Sequence, residues 1–237
     1  MKKIAICLSG HVRTYQSTFP GFFNNIISPN HHHLIDIFIS TWRHADTHNS
    51  GQIDRLRSWG QLNSLPDLQL VNMADLYDKY NPVSVLVDRE EKWDITKYVE
   101  RNYTHPLTNP SASLNMTYKM LSCDQLRQAY TDYDIVIRTR FDLIIDSPIC
   151  VDNYDTDDHF YLPTMHMPNL DGHPWCNDKF AIGNSAHMAV YSNLFHAIPE
   201  LHFEHNIIMQ PEIMLHHHLQ RNNIPVASLE RDFEIQR

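Results

Sequence analysis

The segment Arg138-Thr139-Arg140-Phe141-Asp142 places two cations and a carboxylate directly after an apolar run at residues 135–137. If the chain stays extended there, alternation puts Arg138, Arg140 and Asp142 on one face. Arginine binds phosphate oxygens in a bidentate manner, and a carboxylate binds divalent ions. The segment therefore predicts a crevice that neutralises a diphosphate. The same residue types also fit a salt-bridged cluster that closes the strand end without any chemistry.

A second phosphate-binding candidate follows the first apolar run, residues 4–8, in Ser9-Gly10-His11-Val12-Arg13. A small loop between a strand and a helix presents main-chain N–H groups, and an arginine beside it adds charge. Ser9, Gly10, His11 and Arg13 are therefore candidate contacts to a nucleotide, although many strand-to-helix turns share this pattern.

Asp178 stands just before a predicted short strand at residues 179–182 that Gly183 follows. A carboxylate at the mouth of a sheet can act as a general base that removes the proton of an attacking hydroxyl. An aspartate that caps the chain or pairs with Lys179 is the competing interpretation. The preceding stretch, residues 146–178, is acidic, proline-containing and irregular, so we expect an acceptor loop in which His173 and Trp175 are candidate contacts.

Two histidine runs, at residues 31–33 and 216–218, invite a metal-site interpretation. Consecutive side chains point in different directions, and the second run lies in a predicted helix. We therefore expect structural or surface roles for both runs. The alternative is that one histidine of the second run reaches a divalent ion held mainly by Asp142, with Glu212 one turn earlier on a similar side.

Alternating strand and helix patterns provide the scaffold for these residues, and this order indicates a mainly parallel sheet. Ligands of such sheets bind at the carboxyl ends of the strands, where the candidates above are expected. The predicted strands are residues 4–8, 35–39, 68–71, 83–87, 135–137 and 179–182. The predicted helices are residues 15–27, 73–80, 113–130 with Ser113 as cap, 185–197 and 210–222, and residues 88–110 form a surface excursion.

Composition narrows the class of protein. The net charge is −9 over 237 residues, which disfavours general binding of nucleic acid. The 4 cysteines lack Cys-x-x-Cys spacing and no apolar run approaches membrane-spanning length, which predicts a cytoplasmic protein without a transmembrane segment, at most peripheral at a membrane. We expect one domain, residues 1–237, with a nucleotide-binding part of about 1–145 and an acceptor-side part of about 146–237.

Several segments together resemble small GT-A-like glycosyltransferases of bacterial polysaccharide clusters and large DNA viruses. The resemblance covers most of the chain in the right order, and its strength lies in that order rather than in any single motif. Its segments are residues 4–13, 36–42 and 133–142, Tyr118-Lys119, residues 177–183, and Pro211-Glu212-x-x-Leu215.

The resemblance implies an α/β, GT-A-like (Rossmann-like) fold with a mainly parallel central sheet flanked by helices and a smaller irregular acceptor-side region. It implies a hexosyl- or deoxyhexosyltransferase that uses a UDP-, GDP- or dTDP-linked sugar, a glycan or glycolipid acceptor, and Mn²⁺ or Mg²⁺ at an Asp-x-Asp element. Lys119 joins the donor contacts on the same ground.

The chain departs from the Asp-x-Asp pattern because Arg140 occupies the first position, which leaves Asp142 as its one carboxylate. Either Asp142 binds the metal ion with diphosphate oxygens and water, which we prefer, or Arg138 and Arg140 neutralise the diphosphate themselves. Two other functions stay open: a non-catalytic nucleotide-sugar or carbohydrate-binding module of the same fold, and a metal-dependent phosphoesterase.

Overall fold

The computed structural model describes residues 1–46, 69–89, 93–100, 103–105, 108–164, 169–170 and 172–236. Within these ranges the chain forms nine strands and six α-helices. The strands are β1 (Lys3–Ser9), β2 (Leu34–Trp42), β3 (Ser84–Asp88), β4 (Ile135–Thr139), β5 (Leu143–Ile144), β6 (Phe160–Leu162), β7 (Ala181–Gly183), β8 (Val226–Ser228) and β9 (Glu234–Ile235). The helices are α1 (Tyr15–Phe22), α2 (Met73–Tyr80), α3 (Pro110–Gln128), α4 (Ser185–Ser192), α5 (Leu194–Phe203) and α6 (Pro211–Arg221).

Seven of these strands form one sheet in the order β3-β2-β1-β4-β7-β6-β8, and β5 pairs with β9 in a separate ribbon. The neighbours β3, β2, β1 and β4 are parallel, whereas β7 runs antiparallel to both β4 and β6. Strand β8 is parallel to β6. The predicted α/β fold with a mainly parallel sheet is thereby confirmed.

Alternation along the central strands builds a core on each face of the sheet. Ile4, Ile6 and Leu8 of β1 point to one face of the sheet, where they share a buried cluster with residues of α1 and α2. Ala5 and Cys7 point to the other face, where the apolar side of α3 and the helices α4, α5 and α6 cover the sheet. Both faces are therefore buried, which explains why β1 is a continuous apolar run.

Five sequence predictions of local structure are wrong in detail. Leu70 forms only an isolated bridge with His44, so residues 69–71 are not a strand. Asn109, not Ser113, caps α3, because its side chain accepts from the Ala112 N–H at 3.2 Å. The helix predicted at 185–197 is interrupted at Asn193, which separates α4 from α5.

The fourth difference concerns the presumed irregular stretch, whose residues Phe160–Leu162 form β6 inside the main sheet. The predicted helix 15–27 also ends its regular part at Phe22 and continues as the π-helical turn Phe23–Ile27. Three short 3₁₀ turns also occur in the described ranges, at Ser28–Asn30, Ile95–Lys97 and Val151–Asn153.

All four cysteines lie in the described ranges and carry free thiols. None of the helices in those ranges combines the length and the apolar character needed to cross a lipid bilayer.

Candidate functional site

Sheet direction brings the candidate residues to one edge. The parallel strands β1 and β4 end there, so Gly10 and Arg140 follow them at the same edge. Because β7 runs in the opposite direction, its beginning lies at this edge, and Asp178 precedes it by three residues. The topology thus joins the first loop, the arginine segment and Asp178, as the sequence predicts.

The loop after β1 has an unusual backbone. Gly10 has φ +113°, a conformation that L side chains rarely adopt, and its N–H donates to the Ser40 carbonyl at 3.0 Å. Arg13 also has positive φ, 38°, and its N–H donates to the Ala45 carbonyl at 2.7 Å. His11 approaches Trp42 and bonds the His44 carbonyl through Nδ1 at 3.1 Å. Backbone strain of this kind concentrates at ligand-binding sites.

Arg13, Arg140 and Asp142 form a cluster that we call the arginine–aspartate clamp. Arg140 donates from Nε to Asp142 Oδ1 at 2.8 Å and from Nη2 to Oδ2 at 2.9 Å. Arg13 donates from Nη1 to Oδ2 at 2.8 Å, while its Nε bonds Asp46 at 2.8 Å. The Asp142 side chain is only 2% exposed, whereas those of Arg140 and Arg13 are 18% and 25% exposed. The two guanidinium groups therefore keep partial access to solvent.

Opposite charges fix the protonation of the clamp. Burial works against the charged form of Asp142, but the hydrogen bonds and charges of Arg140 and Arg13 outweigh it and lower the pKa of the carboxyl. Burial likewise disfavours the Arg140 cation, yet Asp142 and the charge of Asp178 raise its pKa. The clamp is ionised at neutral pH.

Arg138 lies beneath the site rather than beside the clamp. It is 2% exposed and donates from Nε to Ser9 Oγ at 3.1 Å, from Nη1 to the Asp178 carbonyl, and makes a longer contact of 3.5 Å with the Tyr191 hydroxyl. Because β4 ends at Thr139, extended alternation does not continue to Asp142. Arg138 therefore positions Ser9 and Asp178. Its role as a contact to the sugar donor stays a prediction, and the burial of its side chain does not favour it.

Lys119 is also inside the protein. Its side chain is fully buried, and Nζ donates to Asp88 Oδ2 at 2.7 Å and to Ser40 Oγ at 3.3 Å. The ammonium lies 4.2 Å from the centre of the Trp42 ring, a cation–π distance. These contacts tie α3 to β2 and β3, so Lys119 supports the wall behind the first loop.

A cavity opens beside the clamp and contains Asp178. Its described lining consists of Thr164, Trp175, Asn177, Asp178, Lys179, Glu212 and Asp232. Trp175 is therefore in the cavity, whereas His173 is not among this lining. The main-chain groups of His173 and Leu170 exchange hydrogen bonds of 2.9 and 2.8 Å, which form an isolated antiparallel bridge.

In this cavity the carboxylate of Asp178 is available to a ligand. Lys179 Nζ bonds Asp232 at 3.1 Å and the Phe233 carbonyl at 2.8 Å, so this lysine pairs with Asp232 and not with its neighbour in sequence. Asn177 Nδ2 also donates to Asp232 at 2.8 Å. The Asp178 carbonyl accepts from the Tyr191 hydroxyl at 3.1 Å, which holds the main chain. The segment is fixed by contacts that do not use the Asp178 carboxylate.

Glu212, to which the sequence analysis gave no catalytic role, lies in the first turn of α6 and lines the same cavity. Its Oε2 atom is buried and accepts no hydrogen bond from the described residues. Burial and the charge of Asp178 raise the pKa of Glu212 to about 7, against the smaller effects of Arg140 and Lys179. The one signal in the sequence was the Pro211-Glu212 pair at a predicted helix start.

Asp142 does not fit the role of a metal ligand in this arrangement. Both of its oxygens accept hydrogen bonds from guanidinium groups, and two cations in contact with it repel a third. No group of three metal-type ligands that includes Asp142 occurs in the part of the chain the structure describes. The alternative in which arginines neutralise the diphosphate fits the observed contacts better.

The histidine runs lie elsewhere. His32 and His33 both face Asp152, with Nε2 to Oδ2 distances of 3.0 and 3.3 Å, so the expectation that they diverge is wrong. This cluster precedes β2 and therefore lies at the opposite edge from the clamp. His33 Nδ1 accepts from the Lys2 N–H at 3.2 Å, which leaves the proton of the neutral ring on Nε2 and disfavours a metal there. His218 bonds the Val190 carbonyl at 2.8 Å, a structural role.

Comparisons with known proteins add no assignment: no protein-family model matches this chain, and no curated protein sequence matches it.

Proposed function

We propose that the protein is a GT-A-like glycosyltransferase that moves a hexosyl or deoxyhexosyl group from a nucleotide-diphosphate sugar to a hydroxyl of a glycan or glycolipid acceptor. The observation that carries the proposal is the juxtaposition of cationic and acidic groups at one sheet edge. Arg140 binds Asp142 and is close enough to Asp178 and Glu212 for their charges to interact. Glycosyl transfer needs both kinds of group within one site.

The clamp supplies what the departing group requires. As the bond to the anomeric carbon breaks, negative charge accumulates on the leaving diphosphate and positive charge on the sugar. Arg13 and Arg140 are partly exposed cations held in place by Asp142, so they are pre-oriented to receive that negative charge. Gly10 has no side chain and open space lies beside it, so a nucleotide can approach the main chain of this loop closely.

The cavity supplies the acceptor side. Trp175 lines this cavity, and the carboxylates of the cavity can take the proton of the acceptor hydroxyl. A cytoplasmic location is part of the proposal and is supported by the four free thiols.

The test is incubation with a panel of UDP-, GDP- and dTDP-sugars, with and without Mn²⁺, followed by separation of the released nucleotides. Release of nucleoside diphosphate supports transfer or slow donor hydrolysis. Release of monophosphate would instead identify a phosphoesterase, and binding without consumption would identify a non-catalytic module. Because Asp142 is already paired with two arginines, we expect turnover to persist after chelation of divalent ions.

Arg140→Gln separates the clamp from a merely structural ion pair. Loss of a group that stabilises transition-state charge typically lowers kcat by about 10²–10³-fold. The matched control is Arg221→Gln on α6, an arginine that pairs with Glu200 and is 47% exposed. Equal turnover of the two variants would refute the role of the clamp.

A further inference from the structure

Two carboxylates, Asp178 and Glu212, face the same cavity but have different surroundings. Asp178 belongs to a segment anchored through its carbonyl by Arg138 and Tyr191. Glu212 presents an oxygen, Oε2, that is buried and accepts no hydrogen bond from any residue in the described ranges. A buried acceptor without a donor is costly unless a ligand or a proton satisfies it. Glu212 lines the cavity, and because its buried Oε2 lacks a donor from the described residues, its carboxyl favours a bound proton.

The groups around Glu212 come from four segments. After burial, the negative charge of Asp178 has the largest effect on the pKa of Glu212, and Arg140 and Lys179 contribute opposing positive charge. Asp232 also lines the cavity, but Lys179 and Asn177 neutralise and hold it.

One turn further along α6, His216 has its pKa lowered by burial, so it is neutral near pH 7. Cys176, whose N–H donates to the Glu212 carbonyl at 3.0 Å, completes the surroundings.

We propose that Glu212, and not Asp178, accepts the proton of the attacking acceptor hydroxyl, and that Asp178 acts as a fixed negative charge that positions and strengthens this base. The inference rests on the proposed glycosyl transfer. It also replaces the base that the sequence analysis favoured. In this arrangement the proton that the Glu212 carboxyl takes up offsets the cost of its buried, unpaired Oε2.

The step balances without any further reagent. The acceptor oxygen forms a bond to the anomeric carbon while the bond from that carbon to the diphosphate oxygen breaks. The hydroxyl proton moves to the carboxyl of Glu212, and the electron pair of the broken bond leaves with the diphosphate beside Arg13 and Arg140. A base whose pKa lies near the working pH is the most effective one, and the environment of Glu212 meets that condition.

The environment gives the two carboxylates different signatures in a pH–rate profile. Wild-type kcat/KM is expected to fall below about pH 7 as Glu212 becomes protonated. Glu212→Gln should remove this acid limb and lower kcat/KM by about 10²–10⁴-fold, the usual contribution of a general base. Asp178→Asn removes a neighbouring negative charge that raises the pKa of Glu212, so the limb should survive and move to lower pH. Glu204→Gln, an exposed position at the end of α5, is the control and should leave the profile unchanged.

A second measurement does not need turnover. In ¹³C NMR of the protein labelled at glutamate side-chain carboxyls, the Glu212 signal is the one lost in Glu212→Gln. Its midpoint is expected near pH 7 in the wild type and lower in Asp178→Asn. A midpoint at the ordinary value of glutamate would overturn the inference, whether or not any donor is consumed.

The outcomes distinguish the inference from the proposed function. If no nucleotide sugar is consumed, glycosyl transfer is refuted, and the base assignment falls with it even if the NMR titration finds the coupled pair. If transfer occurs but Glu212→Gln keeps the acid limb while Asp178→Asn abolishes it, Asp178 is the base and the inference alone is wrong.

Discussion

Asp142→Asn is the sharpest test of the arginine–aspartate clamp as a structural unit. The carboxylate is 2% exposed and accepts three hydrogen bonds of 2.8 to 2.9 Å from two cations. Removing one partner of a buried ion pair costs about 3–5 kcal/mol because the other charge stays buried and unpaired. Here both arginines reach solvent and Arg13 keeps Asp46, so the expected loss in the free energy of unfolding lies at the low end, about 3 kcal/mol.

The assay is thermal and urea unfolding of wild type and variant at pH 7. In a domain of this size 1 kcal/mol corresponds to about 2–4 °C, so Tm should fall by roughly 6–12 °C. Asp46→Asn is the matched control, because Asp46 binds the same guanidinium but is 56% exposed. An exposed pair contributes at most about 1 kcal/mol. Equal losses at the two positions, or a loss below 1 kcal/mol at Asp142, would refute the reasoning.

The same pair of proteins gives a pH test with a definite sign. The folded protein lowers the pKa of Asp142, so its contribution is fully present above the unfolded value of about 4. It is lost as the pH falls through the folded pKa. The stability difference between wild type and Asp142→Asn should therefore be constant from pH 7 to 5 and shrink in more acidic solution. A difference that grows on acidification would contradict the assignment.

Three further predictions address other parts of the site. Gly10→Ala should cost about 1–3 kcal/mol by urea unfolding, because φ +113° strains any side chain even though the space is open. Lys119→Met should lower stability by about 2–3 kcal/mol in the same assay, since it leaves Asp88 without its buried partner while that carboxylate remains partly hydrated. Glu212→Gln should be more stable than the wild type between pH 5 and 8. Because folding raises the pKa of the Glu212 carboxyl, the wild type loses stability as the pH rises towards 7, whereas the glutamine variant does not.

The sequence was sufficient for the central strands because burial on both faces leaves a direct mark on residue type. Residues 4–8 and 135–137 are continuous apolar runs, and both are strands of the parallel sheet. Strand β6 was not predicted from the sequence, because three residues are too few to show a period and its structure depends on its partners β7 and β8. Helix α3 was found, but its start was misplaced since both Asn109 and Ser113 are residue types that cap helices.

In the candidate site, too, some features follow from local sequence and others depend on contacts between distant residues. The positions of Arg13, Asp142 and Asp178 follow from strand ends and the direction of the chain, which sequence patterns contain. The inward turn of Arg138 depends on the carbonyl of Asp178 and on Tyr191, 40 and 53 residues away. The environment of Glu212 likewise arises only when α6 packs against the Asp178 segment, so no local pattern could reveal it.

The segment after β8 has a consequence for synthesis of the protein. It supplies Asp232 to the cavity wall, and its strand β9 pairs with β5, directly after the clamp. The Gln236 N–H also donates to the Asp142 carbonyl at 2.8 Å. These residues leave the ribosome after every other part of the described site, and domains generally begin to fold from the N-terminal side during translation. A nascent chain with its parallel strands already paired therefore still lacks a finished crevice, and the proposed activity should begin only when the segment after β8 is free to dock.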